Sequence, residues 1–265
     1  DDNGKLNAYD SYSSDSSVAQ IYMKNRPAIV RINTMDPKSD ASFSTSAGSG
    51  SIIDQSGIIA TGYHVVKNAG ALRVKTADGK IYEAQIVDVD AAKDQALIKI
   101  KANNPWSVFP TVKLADNSNG AKQNEKLVAL GFPRNQDAMH VSLLTADRQL
   151  PLSALKINGG LLPGEDKERK VIHTFGSVQS GNSGGPAFDQ KTGEQIGMVN
   201  LSDKSNAYIV PVEDLHNFLA RTKEKLGINT LPSRVSSPEV PGYYQRPTGF
   251  TPGSSLQKLD SLLKK

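Results

Sequence analysis

Short apolar segments separated by polar turns run through most of the chain. Within a segment the apolar residues alternate with polar ones or form brief runs, which is typical of strands with one or both faces buried. Two turns, Asp78-Gly79 and Thr192-Gly193, lie between such segments as in β-hairpins. The pattern predicts an all-β protein of barrels or sandwiches. The predicted strands lie in AIVRINT, GSIIDQSGIIATG, ALRVKTADGKIYEAQIVDVD, QALIKIK, KLVALGFP, HVSLLTADRQL, KVIHTFG, GGPAFDQKTGEQIGMVN and AYIVP.

The strand segments form two sets, divided by the polar stretch LADNSNGAKQNE at residues 114–125. A chain of 265 residues is long enough for two compact cores. We therefore predict two small β domains in tandem, over residues 18–118 and 119–227. The polar residues 1–17 are predicted to be a flexible lead.

Helical spacing replaces strand spacing near both ends of the chain. A short helix is predicted before Pro27, because the residue preceding a proline disfavours the helical region. A longer helix follows the second strand set, with Gly227 as its C-cap and one apolar face. Residues 228–253 are predicted to be a linker rich in Pro, Ser and Gly, followed by an amphipathic tail helix. The apolar faces are Val212, Leu215, Phe218, Leu219 and Leu226 in the long helix, and Leu256, Leu259, Leu262 and Leu263 in the tail.

Composition excludes several classes of protein. The chain is 37% hydrophobic and 22% charged, as in globular proteins. Its net charge is +4, and basic residues are mixed with acidic ones as in EDKERK, so no patch indicates nucleic-acid binding. The apolar runs are too short to span a bilayer and the N-terminus lacks a signal pattern, so we expect a processed chain without a transmembrane segment.

The cysteine and histidine content of the chain does not favour a metal or cofactor site. The chain has no cysteine, and its four histidines are scattered. Without cysteines the chain forms no disulfide, and its redox compartment is not indicated. A histidine metal site is a weak hypothesis, and we expect no metal and no cofactor.

The stretch QSGNSGGPAF, residues 179–188, places three glycines around Ser183 and closes with Pro186. Glycine loses more conformational freedom on folding than any other residue, so such a cluster indicates an unusual backbone path. One interpretation is a serine hydroxyl on a sharp turn, with backbone N–H groups beside it that hold a developing oxyanion. A plain hairpin loop is the alternative, and the segment alone does not decide between them.

A nucleophilic serine needs a neighbouring base, normally a histidine. His140 and His173 lie within predicted strands and His216 lies on the predicted helix, where packing or surface roles are the simpler interpretation. His64, in ATGYHVV, differs because it follows a strand at a glycine turn and can project from a rigid edge.

The third member should be a carboxylate that becomes buried against the imidazole. Asp94, in AKDQALIKI, directly precedes an apolar strand. Asp88 and Asp90 are the rivals, and alternation gives them a common face, most simply the solvated one. The resulting order His64, Asp94, Ser183 is that of chymotrypsin-type enzymes.

Five blocks in sequence order resemble the HtrA/Deg family of trypsin-like serine proteases: PAIVRI, GSGSIIDQSGIIATGYHVV, DVDAAKDQALIKI, KLVALGFP and GNSGGPAFD. The resemblance covers roughly residues 18–225. It implies an all-β fold of two perpendicular six-stranded barrels, chymotrypsin-like, with the active site in the cleft between them. It also implies His64 as general base, Asp94 as orienting acid and Ser183 as nucleophile.

The resemblance further implies an oxyanion hole made by the backbone amides of Gly181 and Ser183, with Asn182 between them. Pocket walls in this fold come from the segment before the nucleophile and a strand after it. Without an acid there, we expect a modest apolar pocket and cleavage after small or medium aliphatic residues. Extended or partly unfolded polypeptides are the expected substrates, in protein quality control, bound as an added strand. The residues concerned are Ser177, Val199, Asn200, Leu201 and Ser202.

One departure from the family pattern concerns the C-terminus, where too few residues follow Leu226 for the PDZ domain that HtrA enzymes usually carry. For the tail we leave open a regulatory or partner role, a contact in a homo-oligomer, and a helix that only covers the barrel. For the loop INGGLLPGEDKERK we leave open a sensor role and that of a solvated surface loop. The resemblance implies a location in the bacterial periplasm or outside the cell. A catalytically inactive or latent module that binds polypeptides, like a chaperone, is the alternative function.

Overall fold

A computed structural model gives the fold of residues 16–35, 44–104, 106–133, 136, 138–155 and 166–226. Its strands close into two antiparallel barrels of six strands each, which confirms the predicted fold class. Most of the flexible lead, the cap at Gly227, the linker and the tail helix lie outside the described residues, as does most of the loop INGGLLPGEDKERK. Both barrels belong to one compact unit, residues 1–215; the second unit begins at His216.

The first barrel contains the predicted hairpin at Asp78-Gly79, where Gly79 has a φ of +83°. Its strands are joined in the order β1-β2-β3-β6-β5-β4, and β4 closes the barrel by pairing with β1. The strands are β1 (Ile29–Met35), β2 (Ser44–Asp54), β3 (Ile58–Thr61), β4 (Ala71–Lys75), β5 (Ile81–Asp90) and β6 (Gln95–Lys101).

The second barrel repeats this connectivity strand for strand. Its order is β7-β8-β9-β12-β11-β10, and β10 closes it by pairing with β7. The predicted turn at Thr192-Gly193 joins β10 to β11, with Gly193 at a φ of +67°. The strands are β7 (Lys126–Gly131), β8 (His140–Pro151), β9 (Lys170–Phe175), β10 (Pro186–Asp189), β11 (Gln195–Ser202) and β12 (Asn206–Pro211).

Apolar side chains join the two barrels. Val128, Leu130, Phe132 and Phe188 of the second barrel are buried in the same cluster as the core of the first. A second cluster fills the second barrel itself and includes Ile172, Ile196 and Ile209. Burial of this kind stabilises by about 25 cal/mol per Å² of apolar surface, so the packing between the barrels contributes to folding as each core does.

The segment that connects the two barrels packs first against the first barrel and, a few residues later, against the second. Phe109 and Val112 are buried with the first barrel, whereas Ala115 and Ala121 are buried with the second. Gln195 of β11 fixes the crossing, since its N–H donates to the Lys113 carbonyl at 2.8 Å and its carbonyl accepts from Ala115 at 2.9 Å.

The described residues form three α-helices: α1 (Ser16–Asn25), α2 (Tyr63–Val66) and α3 (Val212–Leu226). As predicted, α1 ends before Pro27, and a 3₁₀ turn over Arg26–Ala28 leads into β1. The first two apolar residues of α3, Val212 and Leu215, are buried. In the described part of the chain, no helix has the length and apolar character to cross a membrane.

Candidate active site

His64 lies on the one-turn helix α2, directly after β3 ends at Thr61. Its ring nitrogen Nδ1 lies 2.6 Å from Oδ2 of Asp94, and its backbone N–H donates to Oδ1 of the same carboxylate at 2.8 Å. A carboxylate accepts only, so Nδ1 carries the proton and Nε2 is left as the basic ring nitrogen. The His64 side chain is 22% exposed, so the ring remains accessible.

Asp94 lies in the turn that precedes β6 and is fully buried. Its φ of +53° is in the left-handed region, which aspartate tolerates better than most residues because its short side chain bonds locally. This conformation lets its carbonyl accept from the N–H of Tyr63 at 3.2 Å while its carboxylate holds His64. The side-chain amide of Asn200, in β11, donates a further hydrogen bond to Oδ2.

Ser183 is half-buried in the turn before β10, and its segment lies against β2 and the end of β3. The N–H of Ser49, in β2, donates to the Ser183 carbonyl at 2.9 Å. A Cβ added to Gly184 would lie 2.8 Å from the Gly62 nitrogen, two residues before His64. The structure therefore brings the segments of Ser183 and His64 together, although no hydrogen bond among the described residues joins the two side chains.

The hydroxyl of Ser49 fixes the turn that contains Ser183. Ser49 is fully buried, and its Oγ donates to the Gly181 carbonyl at 2.8 Å. The same oxygen accepts from the N–H of Phe132 at 2.8 Å. One serine of the first barrel thus holds two segments of the second.

The backbone amides of Gly181 and Ser183 are the predicted oxyanion donors. Within the described residues neither amide donates to a protein acceptor. The N–H of Asn182, by contrast, donates to the Gln179 carbonyl at 3.1 Å. Gly181 has a φ of +105°, a backbone conformation that favours glycine and explains one of the three glycines here.

A buried polar chain extends from Asp94 into the second barrel. The Asn200 oxygen Oδ1 accepts from Nη2 of Arg169 at 2.9 Å, and Arg169 is 1% exposed. Near this chain, burial raises the pKa of Asp214, although Lys93 and Arg169 counteract part of that effect. Lys93 lies 3.8 Å from the Asp214 carboxylate and 3.5 Å from that of Asp166.

The side chains predicted to form the substrate pocket have different surroundings. Val199 is 1% exposed and belongs to the core of the second barrel, while Leu201 is partly buried against another cluster, that of Leu152, Val171 and Tyr208. Ser177 and Ser202 are exposed. Asn200 contacts Asp94, so its side chain has a role that the sequence did not indicate.

The other histidines, and the aspartates considered as alternatives to Asp94, lie outside the contact between His64 and Asp94. His173 in β9 bonds Asp147 at 3.0 Å and Asn206 at 3.1 Å. His140, at the start of β8, has its pKa lowered by burial. Asp88 and Asp90 are half-buried along β5. Within the residues that the structure describes, no three histidine or acidic side chains gather in a way that could hold a metal ion.

Sequence reasoning missed three residues of this site: Ser49, Arg169 and the side-chain role of Asn200. Ser49 lies in the small-residue run SAGSGS, which marks close packing of the backbone without showing which serine bonds across the barrels. Arg169 stands in the charged stretch EDKERK, where the pattern favours exposure. No local signal separates a buried arginine from its exposed neighbours there.

Comparison with known proteins gives a consistent family signal. The family model described as Trypsin-like peptidase domain matches residues 48–198, which include His64, Asp94 and Ser183. Among curated proteins, the chain is similar to Serine protease HTRA1 of Xenopus tropicalis, with 32% identity over 211 residues. That alignment covers 78% of this chain and 43% of the relative.

Two further relatives come from distant organisms. Serine protease HTRA2, mitochondrial, of Bos taurus is 31% identical over 78% of this chain and 43% of its own length. Putative protease Do-like 14 of Arabidopsis thaliana is 29% identical over 80% of this chain and 49% of its own length. The chain spans less than half the length of these curated relatives.

Proposed function

The chain belongs to the trypsin-like peptidase family, in its HtrA-like branch, and on that premise we propose that it is a serine endopeptidase acting through an acyl-enzyme. The observation that carries the proposal is the contact between the His64 ring and the buried Asp94 carboxylate, close to the segment on which the Ser183 turn packs. Curated relatives that match 78% of this chain are named serine proteases.

In the proposed reaction, Ser183 Oγ attacks the carbonyl carbon of a peptide bond and its proton passes to Nε2 of His64. The imidazolium then gives this proton to the leaving amine as the carbon–nitrogen bond breaks, and an acyl-enzyme remains. Water, deprotonated by the same nitrogen, releases the acyl group. Asp94 keeps the ring in the Nδ1–H tautomer throughout and stabilises its charged form.

The oxyanion of each tetrahedral intermediate accepts hydrogen bonds from the amides of Gly181 and Ser183 in this proposal. Support comes from the absence of another acceptor for either amide among the described residues and from the Ser49 bond to the Gly181 carbonyl. Loss of one such donor typically lowers turnover by about a hundredfold to a thousandfold.

The proposed substrates are extended or partly unfolded polypeptides, in protein quality control. The end of β11, at Leu201 and Ser202, would pair with the substrate backbone as an added strand. The lack of an acid in FGSVQS and MVNLS argues against Lys or Arg at the cleaved position. The residue types of Ser177, Val199 and Leu201 favour small or medium aliphatic residues there. We propose action in the bacterial periplasm or outside the cell; fractionation of the source cells tests this.

A fluorophosphonate probe tests the proposal directly, because it labels an activated serine covalently. We expect labelling of wild type and casein cleavage, and loss of both in Ser183→Ala. Ser180→Ala, which alters an exposed serine of the same turn, should retain both. Asp94→Asn should lower turnover by about 10⁴-fold, the loss typical of this change in a Ser-His-Asp triad, because the imidazole then takes the wrong tautomer.

The outcomes separate the two functions under consideration. Absence of labelling at Ser183 in a folded wild-type protein would refute the serine-peptidase proposal. Labelling without cleavage of casein would favour the alternative, a latent module that binds polypeptides.

A further inference from the structure

Arg169 is the largest fully buried side chain in the described part of the chain, and its role is not explained by the packing of an apolar core. It lies immediately before β9, where its carbonyl accepts from the N–H of Leu152 at 2.9 Å and its own N–H donates to Asp166 at 3.2 Å. A buried guanidinium is costly unless its charge and its donors are used. Its Nη2 donates to Asn200, which in turn donates to Asp94.

We propose that Arg169 is a positioning residue for the catalytic acid, acting through the Asn200 amide. This inference rests on the proposed peptidase function and deepens it. The chain of contacts runs from Arg169 Nη2 to Asn200 Oδ1, from Asn200 Nδ2 to Asp94 Oδ2, and from that oxygen to His64 Nδ1.

The first effect of Arg169 is to fix which way the amide of Asn200 points. A side-chain amide has one end that accepts and one that donates. Because the guanidinium only donates, it holds the oxygen of Asn200 toward itself and directs the NH₂ group to the carboxylate of Asp94. Without Arg169 the amide can rotate by half a turn and place its oxygen against that carboxylate, which would push Asp94 away from His64.

The second effect is electrostatic. Asp94 is completely buried, and a buried carboxylate needs compensating donors or charge. Arg169 supplies a fixed positive charge behind the amide, and the same charge, with that of Lys93, offsets part of the burial that raises the pKa of Asp214. Charged groups lie near this corner on several elements: Asp90 at the end of β5, Lys93 in the turn before β6, Asp166 before β9, and Glu213 and Asp214 at the start of α3.

Both effects predict a specific kinetic change in Arg169→Met. When the Asn200 amide is no longer oriented, kcat should fall by about tenfold to a hundredfold, with little change in KM. This loss is part of the roughly 10²–10⁴-fold acceleration that a positioned general base contributes. Loss of the positive charge makes the imidazolium easier to form, so the rising limb of the pH profile should move to higher pH. If Arg169 had only a packing role, its replacement would change the free energy of unfolding without moving the rising limb of the pH profile.

Two more variants separate orientation from charge and guard against misfolding of the methionine variant. Arg169→Lys keeps the charge, so its pH limb should stay near that of wild type. Arg169→Gln keeps an N–H donor without the charge, so it should recover part of kcat while the limb stays displaced. Arg148→Met is the matched control, since Arg148 is 72% exposed on the same barrel and should behave as wild type.

The experiment measures the rate of fluorophosphonate labelling of the full chain from about pH 5 to about pH 9, with kcat and KM for a peptide substrate. Adding Arg169→Met to Asn200→Ala should lower kcat little more than Asn200→Ala alone, because the orienting effect of Arg169 passes through the Asn200 amide. Wild-type rates and an unmoved pH limb in a folded Arg169→Met protein would overturn this inference alone. If Ser183→Ala still cleaves, or wild type is never labelled, the proposed function fails instead.

Discussion

The Ser49 hydroxyl of the first barrel donates to the Gly181 carbonyl of the second at 2.8 Å. This bond spans residues that are 132 positions apart in the sequence. It orients the peptide that follows Gly181 and so restricts the turn on which Ser183 stands. The proposed nucleophile is therefore held in place by a strand of the opposite barrel.

Ser49→Ala should impair both stability and turnover. The change leaves the Gly181 carbonyl and the Phe132 N–H without their buried partner, which costs about 1–3 kcal/mol for each unsatisfied group. Urea unfolding and the labelling rate of Ser183 measure the two effects.

Ser51→Ala is the control for this change. Ser51 is also fully buried in β2, but its hydroxyl has no hydrogen-bond partner in the described residues. Its removal should leave labelling intact and stability unchanged or improved. Equal losses in the two variants would contradict the role assigned to Ser49.

Gly184→Ala should be far more harmful than Gly79→Ala, although the two glycines share nearly the same backbone conformation, with φ of +82° and +83°. A Cβ at Gly184 would collide with the Ser49 carbonyl and the Thr61 hydroxyl, whereas one at Gly79 meets nothing within 4 Å. The strain common to both is about 1–2 kcal/mol. The loss in free energy of unfolding, measured by urea unfolding, should therefore be well above that amount for Gly184→Ala and near it for Gly79→Ala. A similar loss in both variants would refute the close approach of the barrels at Gly184.

Activity should rise with pH from about pH 5 to about pH 8, because the neutral imidazole of His64 is the proposed base. The histidines outside the site provide the controls: His140→Asn and His173→Asn should keep the rising limb. The rate of fluorophosphonate labelling of Ser183 measures this pH profile without a peptide substrate. A flat profile would contradict the role of His64, and a limb that disappears in His173→Asn would assign the titration elsewhere.

Asp214→Asn should stabilise the protein at neutral pH. Burial raises the pKa of Asp214 above 3.8, so the folded state prefers the protonated carboxyl. Its favourable contribution is complete below the unfolded-state value and is lost as the pH rises through the folded-state value. Asparagine mimics the neutral form, and its advantage at pH 7 should vanish in acid, where the wild-type carboxyl is also neutral.

Asp203→Asn should show the opposite sign. The backbone N–H of Ser205, with Asn206 and Tyr208, lowers the pKa of Asp203 below 3.8, so its charge stabilises the folded state above the unfolded-state value. That contribution is lost as the pH falls through the folded-state value. Urea midpoints of both variants across the acid range test the pair, and changes of the same sign at pH 7 would contradict this account.

Local patterns were sufficient to predict the strands, the turns at Asp78-Gly79 and Thr192-Gly193, and a histidine at a strand end. These features depend on residues within a few positions of one another. The closure of each strand set into a six-stranded barrel was expected only from the family resemblance. The one-turn helix at His64 and the positive φ of Asp94 had no signal in the sequence pattern.

The contacts that cross the barrels could not be predicted for a physical reason. Whether Ser49 or Ser51 bonds to the second barrel depends on how the two barrels pack, because both are buried serines of one strand. Likewise, Arg169 resembles its charged neighbours in EDKERK until the fold buries it beside Asn200. Hydrophobic periodicity records which residues are buried, but it does not record the partner that a buried polar group finds.

The hydrogen bonds from Ser49 to the Ser183 turn join one barrel to the other. The hydrogen bond from Asn200 to Asp94 also crosses between the barrels. If the barrels move apart slightly on warming, these hydrogen bonds break before either barrel unfolds. Labelling of Ser183 should then decline at a lower temperature than the β signal in circular dichroism. Loss of labelling on heating would then report the separation of two barrels that are each still folded.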